Sequence, residues 1–312
     1  MPTLQDIQQA AERIKPYAHR TPVLTNEGLN QRVGAQVYLK CENFQKVGAF
    51  KFRGACNAVY SLSDEAAARG VCTHSSGNHA QALALAARMR GIPAYIVMPN
   101  NAPSVKKNAV AAYGGQITFC EPTLEAREST LERIRLETGA NVVHPYNDER
   151  VIAGQGTAAL ELLSDVPDLD VIIAPVGGGG LLSGTVIAAK GIKPGIRVIA
   201  GEPEMADDAY RSLQAGQLLP SMNPKTIADG LLTSLGSITF PIVRERVEQI
   251  VTVSEAGIVA AMKFVWERVK IVIEPSSAVA VGVLWEKKID LSGLKVGIIL
   301  SGGNVDLDKL PW

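Results

Sequence analysis

Val171-Ile172-Ile173-Ala174-Pro175-Val176-Gly177-Gly178-Gly179-Gly180 sets a short apolar run against four glycines, and a helical pattern opens at Leu181. Such a run, bounded by glycine, reads as a buried strand, the kind that a parallel sheet between helices requires. Val198-Ile199-Ala200 follows as the next strand, giving the strand, loop, helix, strand order of a doubly wound α/β unit. The glycines bring backbone N–H groups to a helix N-terminus with no side chains in the way, which suits a phosphate. A plain turn would not require the backbone entropy that four glycines lose on folding. The rival is the dinucleotide fingerprint, since Glu202 ends the next strand where a ribose-binding acid belongs. There, Gly178-Gly179-Gly180-Leu181-Leu182-Ser183 puts Ser183 at the third glycine of G-x-G-x-x-G, an incomplete match.

The same alternation extends outward. Val71-Cys72-Thr73-His74 reads as a strand, followed by an Ala/Leu-rich helix to Arg90, a strand over 94–98, a helix over 103–113 and a strand over 117–120. Glycines 91, 114 and 139 fall where left-handed helix C-caps are wanted. Before this unit come a helix over 4–14 ended by Pro16, an extended entry at 21–24, a strand at 37–40 and a helix over 50–62. After Asn147, a helix containing Ala158-Ala159-Leu160-Glu161-Leu162-Leu163 leads into the central strand. The last elements are a strand at 250–253, a helix capped by Ser254, and a strand at 296–300. The fold class is α/β, with two open sheets.

The chain has 312 residues, enough for two domains, and 31 basic side chains against 31 acidic ones, so no net charge draws it to nucleic acid or anionic membrane. Cys41, Cys56, Cys72 and Cys120 lie in apolar surroundings without a C-x-x-C pair, which fits reduced thiols in a cytoplasmic protein. The N-terminus reads as a polar helix, not a signal peptide, and no apolar run approaches membrane-spanning length.

Three loops and one cluster carry chemistry. Lys51 sits between Phe50 and Phe52 just after Gly48, where partial desolvation would lower its pKa and make its amine nucleophilic. Ser75-Ser76-Gly77-Asn78-His79 precedes the Ala-rich helix and offers N–H groups and hydroxyls to an anion, most naturally a substrate carboxylate. Ser301-Gly302-Gly303-Asn304 follows the last strand. Glu202-Pro203-Glu204-Met205-Ala206-Asp207-Asp208 is either a solvated acidic surface or a set of hard oxygen ligands for a divalent cation.

Taken in order, Ala49-Phe50-Lys51-Phe52-Arg53-Gly54-Ala55, Ser75-Ser76-Gly77-Asn78-His79, the four glycines and Ser301-Gly302-Gly303-Asn304 resemble the pyridoxal-phosphate serine/threonine dehydratase and serine racemase family, of fold type II. Ala49 and Ala80 stand where many members carry Ser and Gly; neither change removes a reactive group. The resemblance implies a tryptophan synthase β-like fold, with residues 1–69 and 148–312 forming a large cofactor-binding domain, 70–147 a small domain, and pyridoxal 5'-phosphate in the cleft between them. Lys51 would carry the cofactor as a Schiff base beside Phe50 and later take the substrate Cα proton. The cofactor's phosphate would lie on Gly177, Gly178, Gly179 and Gly180, its ring hydroxyl on Asn78, and its pyridine nitrogen on the neutral hydroxyl of Ser301. Ser75, Ser76, Gly77, Asn78 and His79 would hold the substrate, with Ser76 on the face opposite Lys51 and Arg127 approaching from the side.

The resemblance further implies a structural Mg²⁺, Mn²⁺ or Ca²⁺ on Glu202, the Ala206 carbonyl and Asp208. It also implies an ATP effector site built from Lys46, Arg268, Lys270 and Asn304 at a homodimer interface. The expected activity is dehydration of L-serine to pyruvate and ammonia and of L-threonine to 2-oxobutanoate, with interconversion of L- and D-serine. A threo-3-hydroxyaspartate dehydratase is the alternative, because Arg127 could bind a second carboxylate. A nicotinamide-dependent dehydrogenase and a non-catalytic two-domain binder are the readings from other classes. After Trp312 there is no room for the regulatory domain of biosynthetic threonine dehydratases.

Overall fold

The computed structural model describes residues 1–312 and contains two sheets. In the six-stranded sheet the order is Val23–Leu24, Gln36–Cys41, Lys295–Leu300, Val171–Pro175, Arg197–Pro203 and Gln249–Val253. Only the pairing of Val23–Leu24 with Gln36–Cys41 is antiparallel. A second, all-parallel sheet runs Gln116–Cys120, Ala94–Pro99, Val71–His74 and Asn141–Val142. Its strands all come from within residues 70–147, while those of the larger sheet flank that segment on both sides.

The apolar run at 171–175 is buried along its whole length because it serves two cores. Val171 and Ile173 pack on one face with Ile298, Val279 and Val283; Ile172 and Ala174 pack on the other with Ile299, Leu162 and Ile187. Period-two alternation therefore feeds both faces of one sheet, as helices on either side demand. A third core fills the space between the Lys51–Tyr60 and Asn78–Arg90 helices, where Phe52, Ala55, Cys56 and Val59 meet Ala80, Leu83, Ala84 and Ala87. The alanines let two helix backbones approach closely and join the lysine-bearing helix to the smaller sheet.

Gly91 and Gly139 are left-handed C-caps, whereas the Ser104–Ala112 helix is capped by Tyr113 and Gly114 takes its positive φ one residue later. Sequence periodicity did not announce the Glu27–Val33, Thr239–Arg246 and Pro275–Trp285 helices. The last is apolar all round and buried from Ser276 to Leu284, so it has no polar stripe to betray its period. No helix is long and apolar enough to cross a membrane.

Candidate active site

Strands Val71–His74, Val171–Pro175 and Lys295–Leu300 each deliver a loop at their C-terminal ends, where open α/β sheets bind ligands. The loop after Leu300 anchors the reactive lysine. Phe50 donates its N–H to the Ser301 carbonyl at 2.9 Å, and Ala49 bridges to Gly302. Lys51 then opens the Lys51–Tyr60 helix, and its Nζ donates to the Pro145 carbonyl at 2.7 Å. Burial lowers the Lys51 pKa to about 8, opposed by the Glu274 carboxylate. Near neutrality far more of that amine is therefore unprotonated, and able to act as nucleophile or base, than for an ordinary lysine.

Three of the four glycines, 177, 178 and 179, are each required by a neighbour. A Cβ on Gly178 would lie 2.3 Å from the Tyr146 ring, on Gly177 2.9 Å from Leu231 Cα, and on Gly179, at φ +83°, 2.6 Å from Leu235. Close packing thus accounts for these glycines by itself. The loop's chemistry lies in its amides: the buried N–H groups of residues 177–182 donate to no protein acceptor, and the first that does is Ser183, to the Gly179 carbonyl at 2.8 Å. Buried donors left open in this way call for an anion. The hydroxyl of Ser301, 2% exposed, has no protein partner either, so it is free to meet a ring nitrogen. Lysine amine, open amides and free hydroxyl fit pyridoxal phosphate.

In the 75–79 loop the N–H groups of Ser76, Asn78, His79 and Ala80 are likewise open. Gly77 donates only weakly, to Ser75 Oγ at 3.4 Å. Asn78 is already engaged: its amide donates to both Glu274 oxygens, at 3.0 and 3.2 Å, and its Oδ1 accepts from Asn304 at 2.9 Å. Asn304 Nδ2 also donates to the Val47 carbonyl at 2.7 Å. A contact from Asn78 to a cofactor hydroxyl must share its oxygen with Asn304. His79 Nε2 lies 3.0 Å from the Val143 carbonyl, so it carries the proton there, and the pKa falls to about 3 through burial, with Lys51 adding to the effect. Its buried Nδ1 is consequently a bare acceptor that cannot donate to a carboxylate, so the His79 side chain is structural and only its open N–H can reach a ligand.

Sequence reasoning missed Glu274, which joins the 75–79 and 301–304 loops; burial pushes its carboxyl up to about 7. A lone acid before Pro275, at a helix start, looks like an ordinary cap. Also missed was the 144–147 segment, which supplies the Lys51 acceptor and whose Asn147 side chain bonds the Ile238 N–H at 2.8 Å.

The acidic cluster is only partly a solvated surface, since Glu204 is exposed and Asp207 half-buried. Glu202 and Asp208 are buried, at 1% and 2% exposure. Burial raises their carboxyls to about 8 and about 6. Glu202 accepts from the Ala209 and Tyr210 N–H groups, both at 2.8 Å, so each of its carboxylate oxygens is already engaged by the backbone. Both Asp208 oxygens are buried without a hydrogen-bond partner. Nowhere do three His, Cys, Asp or Glu side chains converge, so a cation here would have two carboxylates and a carbonyl. Of the four residues expected around a nucleotide, Asn304 belongs to the Asn78 cluster. Lys46 Nζ lies 5.7 Å over the Phe52 ring, and Lys270 takes a left-handed φ of 65° after a π-helical turn that contains Arg268.

Residues 14–302 match the family described as "Pyridoxal-phosphate dependent enzyme". Over 312 residues the chain is 54% identical to a β-hydroxyaspartate dehydratase of Paracoccus denitrificans, covering 100% of this chain and 99% of the relative. It is 52% identical to a serine racemase of Dictyostelium discoideum, covering 99% and 96%. The crystal structure of the Dictyostelium racemase superposes with a TM-score of 0.94 at 53% identity, covering 98% of this chain and 99% of that one. The dehydrogenase reading is thereby set aside, and the chain belongs to the pyridoxal-phosphate dependent enzymes, with the fold-type II architecture of serine racemases.

Proposed function

We propose that this chain is an ammonia-lyase for small β-hydroxy amino acids that also racemises serine. L-Serine would give pyruvate and ammonia, and L-threonine 2-oxobutanoate. The carrying observation is the enclosed Lys51 amine set beside two loops of open amides at 75–80 and 177–182. Bound pyridoxal phosphate withdraws electrons from the substrate's Cα–H bond. Lys51 would remove that proton, the amides of the 75–79 loop would orient the carboxylate, and the β-hydroxyl would leave as water with the proton taken from Cα. Ser76 protonates Cα from the opposite face to give the D-isomer. Ser301, a neutral partner for the ring nitrogen, favours elimination and reprotonation over transamination. A second substrate, 3-hydroxyaspartate, is favoured by Arg127, whose Nε is buried without a partner and which makes no ion pair. The dehydratase among the relatives supports the same substrate.

We further propose a homodimer, supported by the exposed apolar side chains of Phe44, Val272 and Trp312, which lie about the Trp266–Trp312 contact and the Asn43–Val272 hydrogen bond. An ATP site at that interface would draw on Lys46, Arg268, Lys270 and Asn304. Glu202, the Ala206 carbonyl and Asp208 would bind a divalent cation. Cytoplasmic residence is proposed from the four unpaired cysteines.

The test is a product assay with L-serine, L-threonine and the isomers of 3-hydroxyaspartate, recording oxo acids and D-serine, with Lys51→Ala as control. The variant should lose both the visible cofactor band and turnover. No oxo acid from any substrate would overturn the lyase reading.

A further inference from the structure

His74 ends its strand and His144 lies just beyond the strand paired with it. The register, Val71 opposite Asn141 and Cys72 opposite Val142, carries the two histidines to neighbouring positions at the C-terminal edge of the smaller sheet. Their rings meet edge-on, with centroids 6.1 Å apart. Pro145, whose carbonyl holds the Lys51 amine, immediately follows His144, so the pair flanks the reacting group. His144 Nδ1 accepts from the Tyr146 and Asn147 N–H groups at 3.3 and 2.9 Å, which leaves the ring proton on Nε2. Neither that N–H nor either ring nitrogen of His74 has a protein partner. Arg127, in the first turn of the Leu124–Thr138 helix, is close enough to depress the His74 pKa. The neighbouring acids are Glu128, exposed on the same helix, and Asp148 beside His144; neither forms an ion pair with Arg127.

The two histidines thus meet beside Pro145, and Arg127, on a third element and near enough to act on His74, carries a buried Nε with no protein partner. A buried donor left open, as Arg127 Nε is, is costly unless a ligand answers it, and the half-buried histidine nitrogens beside it are free to join. We propose that His74, His144 and Arg127 form a subsite for the distal carboxylate of a four-carbon dicarboxylic amino acid, 3-hydroxyaspartate being the reactive case. The proposal rests on the lyase reading above and adds the residues that recognise the substrate's far end. Charge-assisted hydrogen bonds of this kind are each worth about 1.5–3 kcal/mol, roughly a tenfold to hundredfold factor in affinity.

The test uses the holoenzyme and two ligands of equal length, succinate and butyrate, titrated by calorimetry into wild type, His74→Asn and His144→Asn. Asparagine at 144 retains an acceptor where Nδ1 stood and removes only the outer N–H. Wild type should prefer succinate by at least about tenfold, and each variant should lose most of that preference. The kcat/KM ratio of 3-hydroxyaspartate to serine should fall in parallel. If a histidine variant fails to fold, Arg127→Gln supplies the same comparison. Equal affinity for succinate and butyrate in wild type, or a preference that survives the substitutions, would overturn the subsite. A succinate preference in an enzyme that dehydrates nothing would leave the subsite standing and sink the lyase reading instead.

Discussion

Glu274 shows how one buried acid couples the site's two sides. It faces Asn78 and the Asn304 amide directly, with Asp229, Lys106 and Lys51 as surrounding charges. Burial lifts its pKa from 4.5 to about 7, so between those values the folded chain keeps a proton that the unfolded chain releases. Its contribution to stability is full below the unfolded value and is lost as pH rises through the folded one. The slope is bounded by one proton, about 1.4 kcal/mol per pH unit. Glu274→Gln should remove that segment of the pH–stability curve in cofactor-stripped protein, read as urea midpoints from about pH 4.5 to about pH 7; an unchanged curve would show that Glu274 titrates normally. Ser76 poses a different question, since elimination from an L-amino acid needs only Lys51 at Cα while racemisation needs a donor on the other face. Ser76→Ala should depress D-serine formation by about 10²–10⁴-fold and pyruvate formation far less, measured in one reaction mixture. Equal losses would make Ser76 a positioning residue. The loops that hold Lys51 and Ser76 were legible because glycine and serine punctuate strand ends. The Glu274 bridge and the His74–His144 contact were not, since they come from register and burial that no local spacing encodes.

The helix that carries Lys51 is held by a quartet of charges, of which Lys40, Glu42 and Arg53 are fully buried and Glu161 half-buried. Arg53, two residues on, donates to Glu42 at 2.7 Å and to Glu161 at 2.8 Å, while Lys40 donates to Glu161 and to the Thr21 carbonyl, both at 2.7 Å. Thr21 completes the set with a 2.6 Å bond to Glu42. Two cations and two anions balance, and they tie the helix start to the end of the Gln36–Cys41 strand and to the Glu149–Asp165 helix. Arg53→Met leaves Glu42 buried with only Thr21 beside it, and should cost about 3–5 kcal/mol in urea unfolding. Adding Glu42→Gln should recover part of that loss; a cost below about 1 kcal/mol would mean that the quartet is not a coupled unit. From sequence, Arg53 is an ordinary basic residue in a helix, because its partners lie 11 and 108 positions away. Elements with a polar face or a terminal cap were readable, as with the Leu4–Ile14 helix and Ser254 at the start of Glu255–Phe264. The wholly apolar Pro275–Trp285 helix was not, as periodicity vanishes when every face is buried.

At the scale of the molecule, the strand, loop, helix rhythm announced two parallel sheets, but not that Lys295–Leu300 threads between Gln36–Cys41 and Val171–Pro175, which only long-range pairing decides. Nor did it announce what holds the two sheets together. That is the third core between the Lys51–Tyr60 and Asn78–Arg90 helices, with the Lys106–Asp229 ion pair at 2.5 Å beside the cleft. The acidic cluster bears on the stability of the whole. Glu202 lies on the Arg197–Pro203 strand, Ala206 in the Glu204–Ala206 turn, and Asp208 opens the Asp208–Ala215 helix, so one cation would tie a sheet strand to the helix that follows it. With both Asp208 oxygens buried and unpartnered, the folded chain offers ligands that the unfolded chain does not hold in one place. A cation bound only to the folded state stabilises by mass action, about 2.7 kcal/mol at a hundredfold excess over Kd, or several degrees in Tm. Adding Mg²⁺, Mn²⁺ or Ca²⁺ to chelator-treated enzyme should therefore raise the melting temperature, and Asp208→Asn should abolish most of that shift while leaving the cofactor's visible band in place. Glu202→Ala should do the same, since the shift depends on both carboxylates. If melting in the wild type ignores chelator and metal alike, the buried acids are closed by their own backbone bonds and protons, and the cluster is a capped helix start with no ion in it.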